Sequence, residues 1–279
     1  MPKVLTRLLV GFAIGAAAGW FAIPGTASAA GSLRASADVS YAPLEFYGPP
    51  SHTMQGFDVD LIKAIGAKLA ENMVVTNHQF DSILQSVQQG RADVGISAIS
   101  DTRAREKQVD FVDYLLVGSG MLVPEGNPRR IFNLGGLCGV KVDVQKGTSQ
   151  EVALQDQSQR CEDLHLGKIT LVEYATDDQA FAAFQAGKSD VHVTDYPVVA
   201  YLAKTTGGGN TFQVAGRQFA LVPFGIAVRK GNAGLRAQLV AALHGVIQDG
   251  TYEKLLKKWG LEQGALRSAP VNAGTLFEK

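Results

Sequence analysis

The chain contains one sequence pattern twice, as ILQSVQQGRADVGIS at residues 83–97 and as AFAAFQAGKSDVHVT at residues 180–194. Each copy has apolar residues at helical spacing, then a glycine, a basic residue and an aspartate, and finally a short apolar strand that ends in a hydroxyl. This order predicts two similar α/β lobes, unless a common strand–helix pattern has recurred by coincidence. Open α/β sheets bind ligands beyond the carboxyl ends of their strands. We therefore expect Ser97 and Thr194, which end the two strands, to face one cleft.

The flanking sequence continues the alternation of helices and strands. Phe57, Leu61, Ile65 and Leu69 recur at helical spacing, and two aspartates stand in the first turn, where the helix dipole favours acids. Short apolar runs predict strands over 33–39, 73–76, 93–97, 117–123 and 140–144. Strands that alternate with helices predict an α/β fold with substantial parallel pairing.

The composition excludes several classes of protein. The chain has 26 Lys and Arg against 26 Asp and Glu, so its formal net charge is zero, and a basic nucleic-acid-binding protein is not expected. The hydrophobic fraction of 46% is too high for a disordered chain. Two cysteines are too few for a four-cysteine zinc site, and the five histidines stand at no metal-ligand spacing. We therefore predict neither a metal nor a cofactor.

Residues 1–29 have the layout of a secretory signal peptide. Lys3 and Arg7 form a basic start, residues 8–23 are uncharged and mostly apolar, and Ala27-Ser28-Ala29 is a small-residue cleavage site. An uncleaved membrane anchor is the alternative. We expect cleavage near Ala29 and a mature protein in the periplasm or outside the cell.

Export would expose the two cysteines, Cys138 and Cys161, to oxidising conditions. A disulfide between them is our prediction, with two buried free thiols as the alternative. A shared metal is a weaker alternative, because no histidine or acid stands at ligand spacing around both.

The first repeated strand is followed by residues suited to an anion. Ser100, the helix N-cap candidate Thr102 and Arg105 combine hydroxyls, free backbone N–H groups and a guanidinium at a helix start. Arg105 can grip a carboxylate with two parallel hydrogen bonds. The alternative is a solvated arginine on a surface helix.

The second repeated strand is followed by Asp195, which can receive an ammonium or cap the next helix. Thr148 and Ser149 open a further helix after the strand at 140–144, but they lack the glycine spacing of a nucleotide-binding loop. Tyr41 and Phe80 supply aromatic surface. An arginine, an acid, hydroxyls and aromatic rings together describe a pocket for a small zwitterion.

Several motifs, in order along the chain, resemble the family 3 solute-binding proteins of ABC transporters. The strongest is the run from Gly56 to Leu69, GFDVDLIKAIGAKL, which fits the family signature at every fixed position. The supporting motifs are Tyr41-Ala42-Pro43-Leu44-Glu45-Phe46, Ser97-x-x-Ser100-x-Thr102-x-x-Arg105, Val109-Asp110-Phe111, Gly147-Thr148-Ser149, Asp195-x-Pro197 and Asp249-Gly250-Thr251-Tyr252. Together they cover nearly all of residues 33–260.

The resemblance implies a two-lobed periplasmic-binding-protein fold of type II, with two α/β lobes joined by two crossover strands. Lobe 1 would comprise residues 31–118 plus 224–279, and lobe 2 residues 119–223. The crossovers would lie near 118–123 and 221–228. Ligand binding would close the lobes by a hinge motion.

The resemblance also implies roles for individual residues. Arg105 would bind a ligand carboxylate with help from hydroxyls, Asp195 would take the α-ammonium, and Asp38 would meet the far end of a polar or cationic side chain. The complete predicted ligand-binding set is Asp38, Tyr41, Phe80, Ser97, Ala98, Ser100, Arg105, Gln145, Thr148, Ser149 and Asp195. In relatives Gln145 and Thr194 line the same region.

We therefore expect a receptor, not an enzyme, that passes a polar or basic L-amino acid to a membrane ABC permease and works as a monomer. Ala98 and Leu44 depart from the residues of relatives that bind basic amino acids. One alternative is a sensory or accessory binding protein of the same fold. Another is an enzyme resembling cyclohexadienyl dehydratase, which the Tyr196-Pro197-Val198-Val199 that follows Asp195 disfavours, because relatives of that kind carry a glutamate there.

Overall fold

The computed structural model describes residues 1–3 and 31–277. The predicted signal peptide lies outside this part of the chain, apart from residues 1–3. Its cleavage near Ala29 therefore remains a prediction.

In the described residues, ten strands form one large mixed sheet and a small hairpin. The strands are β1 (Gly31–Ala37), β2 (Phe46–Gly48), β3 (Thr53–Gln55), β4 (Glu71–Asn77), β5 (Val94–Gly95), β6 (Val109–Pro124), β7 (Lys141–Gln145), β8 (Thr170–Tyr174), β9 (Val191–Asp195) and β10 (Phe212–Arg229). The large sheet has the order β4-β1-β5-β10-β6-β9-β7-β8, and β2 pairs with β3.

Helices alternate with these strands, as the sequence predicts. The helices are α1 (Phe57–Leu69), α2 (Phe80–Gln88), α3 (Arg103–Glu106), α4 (Ser149–Asp163), α5 (Asp177–Gln185), α6 (Tyr196–Thr205), α7 (Ala233–Gln248) and α8 (Thr251–Trp259). Within the described residues, none of the helices is long and apolar enough to cross a membrane.

The sheet consists of two parallel groups of strands joined by two long antiparallel strands. β4, β1 and β5 are parallel in the first lobe, and β9, β7 and β8 are parallel in the second. Between them run β6 and β10, which pair with each other. Their 16 and 18 residues exceed the usual strand length of about 5–6 residues, because each strand crosses from one lobe to the other.

The crossing strands lose their regular register in the middle. Register shifts interrupt the β6–β10 ladder between Ala215 and Phe219, between Phe219 and Val222, and between Phe224 and Gly225. Irregular pairing weakens a ladder locally, so this region is where we expect the sheet to bend. The predicted lobe boundaries, at 118/119 and 223/224, fall within these strands and remain a prediction.

The repeated pattern folds the same way in both copies. α2 is followed by β5, and α5 by β9, with Gly90 and Gly187 both at a φ of 69° after their helices. This left-handed conformation costs glycine nothing and ends each helix. β5 is shorter than the predicted strand over 93–97, and beyond it Ser97 accepts the Asp38 N–H with its side-chain oxygen.

Helix α1 packs its apolar face into the core of the first lobe. Phe57, Leu61 and Ile65 are fully buried, as their spacing predicts. Gly56 precedes them with a φ of 133°, and a Cβ at this position would lie 2.0 Å from the Leu44 carbonyl oxygen. Only glycine therefore fits the start of this helix.

The second lobe is held by its own core and by a disulfide. Cys138 and Cys161 are bonded, with their Cα atoms 5.4 Å apart, so the predicted disulfide is confirmed. Cys161 lies on α4, about 18 Å along the helix axis from Ser149 at the helix start. The bridge therefore stabilises the lobe at a distance from the end of the helix that faces the first lobe.

Replacing both cysteines with serine should lower the free energy of unfolding by about 3 kcal/mol, because the bridge closes a chain segment with a separation of 23 residues. For a protein of this size the loss corresponds to about 6–12 °C in Tm. Thermal unfolding of the double variant should match that of the reduced wild type. An unchanged Tm in both samples would contradict this account of the bridge.

Candidate functional site

A small cavity with about 10 Å³ of free space lies between the two lobes, and we call it the cleft cavity. Residues of both lobes line it: Asp38, Tyr41, Glu45, Phe80, Ser97, Ala98, Ser100, Arg105, Gln145, Thr148, Ser149, Gln150 and Asp195. All eleven residues that the sequence analysis selected are in this set. Residues that are distant in sequence thus meet at the strand ends, as expected for an open α/β sheet.

Arg105 supplies a positive charge to the cleft cavity. Thr102 caps its short helix, α3, by accepting the Arg105 backbone N–H. The guanidinium donates to the carbonyl oxygens of Ser100, at 2.9 Å, and Gly147, at 3.0 Å, and lies 5.4 Å from the centre of the Phe80 ring. Burial lowers the pKa of Arg105 to about 10, so the group remains charged at neutral pH. Within the described chain, no ion pair joins Arg105 to a carboxylate.

Asp195 supplies a carboxylate from the second lobe. It stands at the N-cap position of α6, but its side chain makes no cap bond. Instead it accepts hydrogen bonds of 2.6 Å from the Tyr41 hydroxyl and from Gln150 Nε2. Burial raises the pKa of Asp195 to about 7, although these two bonds favour the charged form. The Asp195 carboxylate lines the cleft cavity, where an ammonium would stabilise its charged form.

A second carboxylate and an amide meet across the cleft. Gln145 Nε2, at the end of β7, donates to Asp38 Oδ2 at 2.6 Å. Burial raises the pKa of Asp38, and its bonds from Ser40 and Gln145 oppose that shift. Asp38 and Gln145 thus form a polar end of the cavity. A cation or an amide of a ligand could form hydrogen bonds to them.

Hydroxyls lie beside Arg105, as predicted. Ser100 Oγ is 3.1 Å from Ser149 Oγ in the opposite lobe. Thr148 caps α4 by accepting the Glu151 N–H. Because Thr148 and Ser149 both line the cavity, the start of α4 faces it. Hydroxyls and a helix start next to a guanidinium create a local site for an anion.

Two polar residues of the repeated pattern lie outside the cavity lining. Thr194 does not line the cavity, but its hydroxyl is 2.6 Å from the Tyr41 hydroxyl, so it helps to fix that ring. His192 is fully buried, with Nδ1 2.6 Å from Asp143 Oδ1 and Nε2 3.6 Å from Asp177 Oδ1. Although burial opposes its charge, these two carboxylates raise the pKa of His192 to about 10. Its role is structural.

The sequence analysis did not include Glu45 and Gln150 among the site residues. Glu45 belongs to the motif that contains Tyr41, and as an acid it suits a polar or cationic side chain, but the motif does not show that its carboxyl is buried at the cavity. Gln150 stands in the first turn of α4, directly after Thr148 and Ser149, and is 3% exposed. A polar residue that follows two hydroxyls at a helix start was the available signal.

A larger, open cavity of about 340 Å³ lies near the crossover strands. Its lining includes the aromatic rings of Tyr196, Tyr201 and Trp259 and one cation, Lys204. No carboxylate is among its lining residues in the described part of the chain, so it has no group to receive an ammonium. The cleft cavity is the better candidate site for a zwitterion.

In the described ranges, 1–3 and 31–277, no group of three or more His, Cys, Asp or Glu side chains is arranged to hold a metal ion.

Known proteins resemble this chain in both sequence and structure. The model of the bacterial extracellular solute-binding proteins, family 3, matches residues 33–262. The arginine-binding protein ArgT of Corynebacterium glutamicum is 30% identical over 251 residues, which cover 90% of this chain and 81% of that protein.

Two solved structures of an ancestral arginine-binding protein have the same architecture. The one bound to arginine is 33% identical, with a TM-score of 0.75, and the match covers 83% of this chain and 99% of that one. The one bound to glutamine is 34% identical, with a TM-score of 0.73, and the match covers 82% and 97%. The predicted two-lobed fold of type II is confirmed, and the chain belongs to the bacterial extracellular solute-binding proteins, family 3.

Proposed function

We propose that this protein captures a polar or basic L-amino acid in the cleft cavity and delivers it to a membrane ABC permease. The observation that carries the proposal is the presence of Arg105 and Asp195 in one buried cavity, each supplied by a different lobe. A zwitterion has the two charges that complement this pair. Buried charges need such partners, because an uncompensated charge in a low-dielectric site is costly.

Arg105 is proposed to bind the ligand's α-carboxylate. Its guanidinium is charged, donates to two carbonyl oxygens and lies over the Phe80 ring. Two parallel N–H···O bonds would match a carboxylate. Ser100, Thr148 and Ser149 would add hydroxyl contacts to the same group.

Asp195 is proposed to bind the α-ammonium. Tyr41 and Gln150 hold its carboxylate at 2.6 Å each, so it is oriented before a ligand arrives. An oriented acceptor loses less entropy when the ligand binds. The ammonium would also replace part of the solvation that burial has removed from Asp195.

The ligand side chain would then extend towards Asp38 and Gln145. Two acceptors and an amide suit a guanidinium, an ammonium or a carboxamide, and Phe80 and Tyr41 provide aromatic walls. The similarity to proteins described as binding arginine, and to one solved with glutamine, supports these classes. Arginine is the first ligand that we propose, and glutamine the second.

Export and partners follow from the same proposal. Family members are extracellular proteins, which agrees with the signal peptide that the sequence predicts. A monomer suits a receptor that presents both lobes to one permease.

We propose no reaction chemistry for the site, because α6 begins with Tyr196 and Pro197 after Asp195 and places no acid next to it.

Arg105→Ala should weaken amino-acid binding by about 2–5 kcal/mol, because it leaves the ligand's carboxylate buried and unpaired. Isothermal titration calorimetry measures the loss directly. Arg103→Ala is the matched control, since Arg103 lies on the same helix and does not line the cavity. Unchanged affinity in Arg105→Ala, or an equal loss in Arg103→Ala, would refute the assigned carboxylate site.

The affinity for glutamine should fall as the pH is lowered below about 7, because Asp195 then takes up a proton. An ammonium favours the charged carboxylate and lowers its pKa, so the complex holds fewer protons than the free protein and affinity rises with pH. The expected slope approaches tenfold per pH unit well below the pKa. Asp195→Asn should bind weakly and lose most of this slope. A flat profile in the wild type would contradict the role of Asp195.

A further inference from the structure

Two carboxyl groups lie together at the edge of the cleft cavity. Glu45 and Asp58 are each 1% exposed, and Glu45 lines the cavity itself. Glu45 Oε1 accepts a hydrogen bond of 2.7 Å from Ser97 Oγ. Asp58 Oδ2 accepts two, at 2.6 Å from the Tyr114 hydroxyl and at 2.8 Å from the Ala98 N–H.

The other two oxygens point to a shared proton. Glu45 Oε2 and Asp58 Oδ1 are buried and receive no hydrogen bond from an N–H or hydroxyl group. The two carboxyl groups are near enough for the charge of Asp58 to raise the pKa of Glu45. Two carboxyl oxygens can form a hydrogen bond only when one of them carries a proton. Two buried neighbouring carboxylates with unpartnered oxygens are also costly when both are charged, so one of the two carboxyls holds a proton.

The surroundings place that proton on Glu45. Burial, followed by the charge of Asp58, raises the pKa of Glu45 well above its usual range. Burial also raises the pKa of Asp58, to about 6, but the bonds from Tyr114 and Ala98 favour its charged form. Asp38, after β1, also faces Glu45 and raises its pKa further, and the charge of Glu45 in turn raises the pKa of the Tyr114 phenol. None of these neighbours carries a positive charge.

A cationic ligand side chain would change this balance. Under the proposed function, Arg105 and Asp195 are occupied by the ligand's carboxylate and ammonium. The side chain then enters the part of the cavity lined by Asp38 and Glu45. An opposite charge within about 4–6 Å lowers the pKa of a carboxyl by about 1–3 units. A neutral side chain has no such effect, and a second buried negative charge beside it would be uncompensated.

We propose that Glu45 is a specificity residue whose proton adapts the site to the charge of the ligand. The Glu45–Asp58 pair keeps its proton when an uncharged side chain fills the cavity, and it releases that proton to solvent when a cationic side chain binds. This inference rests on the proposed function. It explains how one cavity can accept both a guanidinium and a carboxamide without a buried unpaired charge in either complex.

The decisive experiment counts the protons released on binding. Arginine and its uncharged isostere citrulline are titrated into the ligand-free protein near pH 6.5, in buffers with different ionisation enthalpies. Release from Asp195 is common to both ligands, so it cancels in the difference. Arginine should release about one proton more than citrulline, and the ratio of their affinities should rise with pH.

Glu45→Gln tests the source of the extra proton. The glutamine side chain is uncharged and has nearly the shape of protonated Glu45. This variant should lose the extra proton, and the ratio of its affinities for arginine and citrulline should fall by about tenfold or more. Asp38→Asn is the matched control, because Asp38 also has a raised pKa; it should weaken arginine binding and retain the extra proton release.

The possible failures are distinguishable. Equal proton release by arginine and citrulline in the wild type would overturn the inference without any variant. Arginine release that is unchanged in Glu45→Gln would also overturn it, even if citrulline binding is too weak to measure. Loss of the extra proton in Asp38→Asn alone would assign it to Asp38. A wild-type protein that binds no amino acid would instead refute the proposed function.

Discussion

Arg105 and Asp195 line one buried cavity from opposite lobes, and the cost of burying these charges underlies the proposed function. Each group is held by neutral partners: carbonyl oxygens around the guanidinium, and a phenol and an amide around the carboxylate. Burial shifts the pKa of both groups towards the neutral form. A zwitterion would supply both missing counter-charges at once, whereas an uncharged solute would supply neither.

The fold makes this arrangement depend on the relation between the lobes. Several of the hydrogen bonds around the cavity cross the cleft, including Gln145 to Asp38, Tyr41 to Asp195 and Arg105 to the Gly147 carbonyl. The lobes are connected by β6 and β10, whose register shifts allow the sheet to bend between them. A ligand that bridges the same groups would therefore favour the closed arrangement, in proportion to its preference for that state. Ligand chemistry and lobe closure are in this way one equilibrium.

Much of the fold could be predicted from the sequence, because its signals are local. The repeated helix–glycine–strand pattern correctly predicted α2 with β5 and α5 with β9, and the spacing from Phe57 to Leu69 gave the bounds of α1. The residues at the strand ends and the family resemblance together selected eleven residues, all of which line the cleft cavity. The Glu45–Asp58 pair was missed for a physical reason: Asp58 looks like an ordinary acid in a first helical turn, but its partners come from Glu45, Ala98 and Tyr114, and only the folded chain brings them together. The sequence predicted only residues 117–123 of β6. The N-terminal half of this strand is buried at nearly every position, so its sequence lacks the apolar–polar alternation of a half-buried strand.

The central claim is that the site recognises both charges of an amino acid. A thermal-shift comparison of arginine with agmatine tests it most directly, because agmatine keeps the guanidinium and lacks the carboxylate. The protein is unfolded and refolded first to remove any carried ligand. At about 1,000 times its Kd, arginine should add roughly 4 kcal/mol of stability and raise Tm by about 8–16 °C, with little effect of agmatine at the same concentration. Equal shifts with both compounds would contradict the account, because Arg105 would then contribute nothing to recognition.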